Sequence, residues 1–362
     1  MQNLGMRFIN AARFDAAGIG GLVVRNDPGT TPWTEARSVN WWVSGAEVNP
    51  IGNLSRCFNL DTAFLTAMVS NHPLGWKAQQ GIRELGVKPF YRMYEHDGKD
   101  GPNIAQTFSD IGRQGRPPKV FYNRSNEAAQ LLLPEDFDWN TIFKDGIRLF
   151  HSGGLFTALC ERTTNLVTYA FGKAKEHGAV RSYDVNWRPR LWEPRGGKEE
   201  AQRVNRGIVP LVDMLLANEE DLQLALGIPG PDITKKDALD PEVFKAMINE
   251  TRKQFPNLKV IATTLREVLS PTKHRWSAIA WADGMFEMAP VAELDVYDRI
   301  GGGDGFAAGF MYALLKGKTL KEAVLYGWAH GALLATFGGD TTMATLEMVE
   351  DFIKTPGSRV DR

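Results

Sequence analysis

Three consecutive glycines followed by an aspartate form the segment most able to do chemistry. Gly301, Gly302 and Gly303 can place successive backbone N–H groups around an anion, because no side chain obstructs its approach. The apolar run 305–315 predicts a helix whose positive N-terminal end points at the same anion. Asp304 would lie in its first turn, where a carboxylate repels phosphate but can take a proton from a hydroxyl that attacks it. The segment predicts a phosphoryl-transfer site, although these residues alone fit a glycine-rich loop with a helix-capping aspartate equally well.

Several other enzyme motifs are absent from the sequence. Neither G-x-x-x-x-G-K-[ST] nor G-x-G-x-x-G occurs, which disfavours a P-loop kinase and a dinucleotide-binding dehydrogenase. The absence of G-x-S-x-G disfavours an α/β-hydrolase. The six histidines show no metal-ligand spacing, so we expect no tightly bound transition metal.

The bulk composition narrows the range of partners. A formal net charge of −1 gives no electrostatic reason to bind nucleic acid or an anionic membrane. Cys57 and Cys160 lie far apart without a C-x-x-C spacing, which favours a reducing compartment over a disulfide framework. No stretch approaches the roughly 18 apolar residues of a membrane span, and residues 1–14 contain no signal-peptide-like apolar segment. We therefore expect a cytoplasmic protein that acts on a small molecule.

The order of the predicted elements suggests how the chemical residues come together. The first third of the chain is rich in short strands and turn residues, whereas strands alternate with helices from about residue 146. That alternation predicts a mostly parallel sheet with right-handed crossovers. Polar residues follow strands at 152–154, 184–188, 218–221 and 263–266, and ligands bind at the carboxyl ends of such strands. The clustering indicates an enzyme, in which we expect Asp184 to order its loop rather than to act as a base.

Two segments resemble the signatures of the ribokinase-like, or PfkB, carbohydrate kinases. Residues 298–310 (DRIGGGDGFAAGF) resemble the C-terminal signature D-[ST]-x-G-A-G-D-x-F-x-x-G, with Gly302 in place of alanine. Residues 44–49 (SGAEVN) resemble the N-terminal signature, with Ser44 in place of its first glycine. Within the family, the turn at 25–29, VFYNR at 120–124 and DVNWR at 184–188 resemble the 2-keto-3-deoxygluconate kinases.

This resemblance implies a fold, a pair of cofactors and an assembly. It implies one α/β domain over residues 1–362, with three layers, a mostly parallel sheet and a small β-sheet lid formed from parts of 22–45 and 88–125. It implies ATP and Mg²⁺ as cofactors, with no dedicated metal site in the chain. A homodimer through the lid is a further possibility, with which the aromatic residues Trp41 and Trp42 are compatible.

The resemblance also implies the roles of individual residues. Asp304 would be the base, and the amides of Gly301, Gly302 and Gly303 would stabilise the transferring group. Residues that would contact the substrate are Gly45, Glu47, Asn49, Tyr122, Arg124 and Arg188. Apart from the resemblance, Asp340 follows Gly338 and Gly339 on a turn, and it fits a substrate contact and a simple turn aspartate equally well. Asn186, Asn218 and Asp221 would lie near the nucleotide or Mg²⁺, and Thr264 and Arg266 are further candidates in a segment that departs from the family. The family's glycine-containing turn after strand 259–263 is replaced here by TLREV and a polar loop to Arg275, which leaves the position of the adenine open.

Three functions remain to be weighed on these residues. Arginine can pair bidentately with a carboxylate, so Arg124 and Arg188 favour a sugar acid, with 2-keto-3-deoxygluconate converted to its 6-phosphate. A kinase of a neutral sugar such as fructose or ribose is the first alternative. A sugar-binding relative without catalysis is the second, supported only by the altered segment 264–268.

Overall fold

A large sheet forms the centre of the computed structural model, which describes residues 4–113, 115–218, 220–230 and 240–356. Its order is β13-β12-β11-β10-β9-β8-β1-β4-β5, and β14 pairs with the free edge of β12. The parallel strands are β1 (Phe14–Ile19), β4 (Thr62–Val69), β5 (Lys88–Tyr94), β8 (Ile147–Gly153), β9 (Val180–Asp184), β10 (Met214–Leu216) and β11 (Val260–Ser270). The antiparallel strands are β12 (Lys273–Ala282), β13 (Met285–Met288) and β14 (Ala292–Asp295).

A second sheet of four strands covers part of the first. These strands are β2 (Val23–Asp27), β3 (Asn40–Ser44), β6 (Ala105–Ser109) and β7 (Val120–Asn123), in the order β3-β2-β6-β7. We call this sheet the lid. Lys88–Tyr94, which the sequence placed within the range of the lid, instead forms the edge strand β5 of the large sheet, where Phe90 packs edge-on against Phe14.

The direction of the chain reverses between two neighbouring strands of the large sheet. The chain runs from β1 through β4 to β5 in one direction, and from β8 through β9 to β10 in the other. Right-handed crossovers therefore place the helices of the two halves on opposite faces, which gives three layers. The reversal between β1 and β8 opens a crevice at the carboxyl ends of the strands, where ligands bind in sheets of this kind.

The helices complete the outer layers. They are α1 (Val48–Arg56), α2 (Pro73–Glu84), α3 (Trp139–Phe143), α4 (Gly154–Thr157), α5 (Glu161–Glu176), α6 (Pro189–Trp192), α7 (Gly197–Ile208), α8 (Pro241–Gln254), α9 (Gly302–Leu315), α10 (Leu320–Leu334) and α11 (Leu346–Lys354). Helix α9 is buried on all sides from its fourth residue onward, since it packs between α1 and α10. Within the described ranges, no helix combines the length and the apolar character that a membrane span needs.

The segment after β10 differs from its expected form. Instead of a strand ending near residue 263 and a polar loop, β11 continues to Ser270 and returns as β12 from Lys273. Cross-strand pairing explains the extension, because Glu267 lies opposite Arg275 and forms an ion pair with it at 3.3 Å. On the alternate positions, Thr264 and Arg266 face the lid side of the sheet.

Candidate active site

A cavity of about 550 Å³ lies between the lid and the carboxyl ends of the large sheet. Every site residue predicted from the sequence lines it except Glu47: Asp304, Gly301, Gly302, Gly303, Gly45, Asn49, Tyr122, Arg124, Arg188, Asp340, Asn186, Asn218, Asp221, Thr264 and Arg266. The volume suits a small polar molecule together with part of a larger one.

The glycines form the entry of helix α9. Gly301 is the residue before the helix and has φ of 86°, a left-handed conformation that favours glycine. A Cβ on Gly301 would stand 2.7 Å from the carbonyl oxygen of Asp340, so a larger residue would also displace that turn. The first N–H groups of a helix have no acceptor within it, and a Cβ added at Gly303 would meet no described atom from outside its own helix turn within 4 Å. The helix entry can therefore accept an anion from the cavity.

Asp304 follows directly in the first turn of α9. Its carboxylate accepts a hydrogen bond of 2.7 Å from the Asn49 side chain, which also donates to Ser44. The pKa of Asp304 is raised to about 7, mainly by burial; the negative charges of Asp340 and Glu47 act in the same direction, and Asn49 and Arg188 oppose them. The carboxyl group can thus gain or lose a proton near neutral pH.

Glu47 is not on the cavity wall. The start of α1 turns its side chain inward, where its Oε1 accepts a hydrogen bond of 2.9 Å from the backbone N–H of Phe156. The Glu47 side chain fills the space between the ends of β1 and β8. A Cβ added to Gly20, after β1, would lie 2.6 Å from Glu47, and a Cβ added to Gly153, at the end of β8, would lie 3.0 Å from it. Burial raises the pKa of Glu47 to about 7. The structure gives Glu47 a place between the two half-sheets, in contact with protein atoms.

Five arginines surround the cavity, and they differ in their partners. Arg124 at the end of β7 donates to both oxygens of the buried Glu127 at 2.8 Å. Arg188, after β9, is exposed and donates to the carbonyl oxygen of Trp187 at 2.7 Å. Arg266 lines the wall from β11, and Arg299 lines it from the segment before Gly301.

The fifth, Arg25 of the lid strand β2, is 2% exposed and lies among carboxylates. Its Nη2 is 2.6 Å from Asp298 and its Nε is 3.0 Å from Asp340, while Asp27 lies 3.7 Å from Nη1. These neighbours raise the pKa of Arg25, against the effect of burial itself, which lowers it. Because Asp298 also accepts a hydrogen bond from Ile300 N–H, Arg25 connects the lid to the loop that enters α9.

The predicted nucleotide side is built from the ends of β9, β10 and β11. Asp221 accepts hydrogen bonds from the backbone N–H groups of Trp187 at 2.6 Å and Asn218 at 2.8 Å, so it holds two strand-end loops together. Burial raises the pKa of Asp221. Burial also raises the pKa of Asp184, and the charges of Asp221 and Asp304 add to the rise.

The oxygen atoms at these strand ends bear on metal binding. No three side chains of His, Cys, Asp or Glu in the part of the chain that the structure describes are grouped to hold a metal ion by themselves. The buried Asn186 Oδ1 has no hydrogen-bond partner within those same residues, and it lines the cavity with Asp184. Carboxylate and amide oxygens are ligands that suit Mg²⁺, which usually takes its remaining ligands from phosphates and water.

Sequence reasoning missed two of the arginines on the wall. Arg25 was noted only as part of a turn motif, although its spacing from Val23 places both on one face of β2. Arg299 was noted only as the second residue of the signature, two positions before Gly301. Its adjacency to the anion-binding glycines was the signal that could have identified it.

Comparison with known proteins gives consistent matches. The family model described as pfkB family carbohydrate kinase matches residues 44–346. A 2-dehydro-3-deoxygalactonokinase of Haloferax volcanii is 27% identical over 90% of this chain and 92% of its own length. The crystal structure of a 2-dehydro-3-deoxygluconokinase from Thermotoga maritima has a TM-score of 0.85 and 30% identity, covering 95% of this chain and 100% of that one.

A more distant structure agrees in fold alone. Fructokinase from Xylella fastidiosa, solved with bound ATP, has a TM-score of 0.73 at 18% identity and covers 95% of this chain and 99% of that one. The family match spans most of the chain and includes both signature segments. On these matches, and with a ribokinase-like core and lid, the chain belongs to the pfkB family of carbohydrate kinases.

Proposed function

We propose that this enzyme transfers the γ-phosphoryl group of ATP to a hydroxyl of a small sugar acid, 2-keto-3-deoxygluconate or an epimer, to give the 6-phosphate. The observation that carries the proposal is the position of Asp304 at the entry of α9, in a cavity whose wall also holds several arginines. The two sugar-acid kinases named among its relatives support the choice of acceptor. The family's use of ATP supports the choice of donor.

Asp304 would act as the base. Its pKa of about 7 allows it to be unprotonated near neutral pH and to take the proton of the accepting hydroxyl. The hydrogen bond from Asn49 fixes the carboxylate at the mouth of the helix. The amides at Gly301, Gly302 and Gly303 would stabilise the charge that develops on the transferring group.

The remaining predicted residues would hold the two reactants in position. Gly45, Tyr122, Arg124, Arg188 and Asp340 would face the acceptor, and Arg188 can pair with its carboxylate through two N–H groups.

The nucleotide side would be formed by Asn186, Asn218, Asp221, Thr264 and Arg266. Mg²⁺, when bound with the nucleotide, neutralises charge on the phosphates, and Asn186 Oδ1 and Asp184 offer oxygens on that side.

Exposed aromatic side chains on the lid bear on whether the protein forms a dimer. Trp41 and Phe121 are exposed on lid strands, with 43% and 54% of their surfaces accessible. Aromatic residues are common in interfaces, so these two support the lid as a contact surface. A homodimer through the lid stays a prediction.

The test is ATP consumption with Mg²⁺ against 2-keto-3-deoxygluconate, its galactonate epimer, fructose and ribose. We expect turnover of the sugar acids. Turnover of fructose or ribose alone would overturn the acceptor and leave the kinase mechanism in place. No turnover with any of the four, together with no affinity for Mg·ATP, would instead indicate a sugar-binding protein.

Replacing the base tests the mechanism separately. Asp304→Asn should lower kcat by roughly 10²–10⁴-fold, the usual scale of general-base catalysis. Asp351→Asn is a matched control, because Asp351 lies on the exposed side of α11, where it pairs with Lys354. An Asp304→Asn enzyme with near-normal kcat would refute the assignment of the base.

A further inference from the structure

Arg299 lies on the cavity wall beside the entry of helix α9. It is half-buried, two residues before the glycine that begins the anion-binding turn. Its Nε is buried and makes no hydrogen bond, and its guanidinium forms no ion pair, within the ranges that the structure describes. A guanidinium that is partly removed from water with an N–H group that makes no hydrogen bond is costly, so its position needs an explanation.

The nearest carboxylate in the sequence attracts Arg299 but forms its ion pair with another arginine. Asp298 precedes it, but one of its oxygens is 2.6 Å from Arg25, and the other accepts the N–H of Ile300 at 3.1 Å. Arg25 also binds Asp340, a second buried carboxylate of this region, and lies 3.7 Å from a third, Asp27. Among the residues that the structure describes, Arg25 rather than Arg299 thus forms the ion pairs with Asp298 and Asp340, and Arg299 faces the cavity.

Charged groups of both signs act on Arg299. Burial lowers the pKa of Arg299, Asp298 and Tyr122 oppose the decrease, and the positive charges of Arg188 and Arg25 add to it. His274, whose pKa burial lowers to about 4, is affected by both Arg266 and Arg299. The charge of Arg299 is therefore coupled to Arg188 and Tyr122 and, together with that of Arg266, to His274.

We infer that Arg299 is a catalytic residue that binds the γ-phosphoryl group of the nucleotide while it is transferred. Two observations favour this anion over the acceptor's carboxylate. Arg299 is adjacent in the chain to the helix entry where the phosphoryl group would lie, within about 7 Å along the backbone from Gly301. It also lines the same cavity as the residues assigned to the acceptor and those assigned to the nucleotide, so it can reach a group that passes from one to the other. The inference rests on the proposed kinase function and adds a residue to it.

The chemistry of the side chain suits that task. An arginine presents a planar fork of N–H donors that matches two phosphate oxygens, whereas a lysine offers a single point charge. The charge on the equatorial oxygens persists through phosphoryl transfer, so a fixed guanidinium can stabilise it without reorganisation.

Nucleotide affinity is the direct test. We would measure by calorimetry the affinities of ADP and of β,γ-imido-ATP, both with Mg²⁺, for the wild type, Arg299→Met and Arg299→Lys. Arg299→Met should weaken the triphosphate analogue by about 10- to 100-fold, the range for hydrogen bonds to a charged group, and change ADP affinity by less than about twofold. The affinity of Arg299→Lys for the analogue should lie between those of the wild type and Arg299→Met. Arg203 is an exposed arginine of α7 that pairs with Glu200, and the Arg203→Met control should bind both nucleotides as the wild type does.

Two results would overturn the inference. If Arg299→Met lowered the affinities for ADP and the analogue equally, or lowered neither, Arg299 would not bind the γ-phosphoryl group. Unchanged nucleotide affinities with a raised KM for the sugar acid would assign Arg299 to the acceptor's carboxylate instead.

The proposed function can fail separately from this inference. A wild-type protein that phosphorylates none of the tested acceptors, yet loses analogue affinity through Arg299→Met, would refute the acceptor and keep the inference. A wild-type protein that binds neither nucleotide would refute both, and the wild-type titration alone would show it.

Discussion

Replacing Arg25 by methionine should destabilise the fold by an amount that increases with pH. Arg25 is 2% exposed, and its guanidinium is 2.6 Å from Asp298 and 3.0 Å from Asp340. Methionine keeps much of the side-chain volume but removes the cation. The buried carboxylates of Asp298 and Asp340 would then lack the cation that offsets the cost of removing them from water.

The size of the effect follows from the burial of the group. Removing one partner of a buried ion pair costs about 3–5 kcal/mol, because the other charge stays buried and uncompensated. The free energy of unfolding of a typical domain is only about 5–15 kcal/mol. The loss should therefore be a large fraction of the total at neutral pH. Arg25→Lys keeps one charge but cannot bridge two carboxylates as a fork, so it should lose less.

The sign of the pH dependence comes from Asp340. Burial already raises the pKa of Asp340 in the folded protein, and Arg25 opposes that rise. Without Arg25, its pKa in the folded state should be higher still. A carboxyl group with a raised folded-state pKa favours folding below its unfolded pKa of about 4 and loses that contribution as pH increases. The loss in the free energy of unfolding caused by Arg25→Met should therefore be smallest near pH 4.5 and largest near pH 7.5.

Urea unfolding at pH 4.5, 6.0 and 7.5 provides the measurement. We would follow it for the wild type, Arg25→Met, Arg25→Lys, Asp340→Asn and the Arg25→Met/Asp340→Asn double variant. The double variant should recover part of the loss, because it removes one of the stranded carboxylates. A deficit below about 1 kcal/mol at pH 7.5, or one that is constant with pH, would refute the reasoning; the Arg25→Lys and Asp340→Asn comparisons remain informative even if Arg25→Met fails to fold.

Two further predictions concern the entry of helix α9. Because the base must be unprotonated, kcat/KM should fall as pH decreases, with a midpoint near the pKa of about 7 of Asp304; a profile that stays flat from pH 6 to 8 would contradict this. Gly301→Ala should lower stability by at least about 1–2 kcal/mol, the cost of a left-handed residue with a Cβ, and lower kcat as the turn shifts. Gly172→Ala, inside α5 and with open space around it, is the control and should not destabilise, as measured by thermal unfolding and turnover.

The fold was predictable where local pattern and chain order agree. The alternation of strands and helices after residue 146 predicted the parallel half-sheet, and helix α9 begins within three residues of the expected start. The hairpin β11–β12 was not predictable in this way. Its stability depends on pairs such as Glu267 with Arg275, and alternating polar residues in a short stretch are also typical of a loop.

The placement of individual site residues was less predictable. Asn49 and Asp304 were both predicted in the site, and the structure brings them into a hydrogen bond across 255 positions of the sequence. Glu47 was predicted beside them, only two positions from Asn49, yet its side chain is buried against protein atoms between the ends of β1 and β8. The first residues of a helix point in different directions, so a short motif does not establish which of its members face the ligand.

Arg25 and Arg299, which were not predicted as site residues, show that the role of a charged residue depends on its tertiary contacts. Arg299 is adjacent to Asp298, and nearness in the chain would pair them. In the structure, Asp298 instead binds Arg25, which is 273 positions away, and Asp340 binds the same guanidinium across 315 positions. One oxygen of Asp298 binds Arg25 and the other accepts the N–H of Ile300, and within the described residues Asp298 forms no ion pair with Arg299. Arg25 thus pairs with the protein's own carboxylates, and we infer that Arg299 binds the negative charge of a ligand.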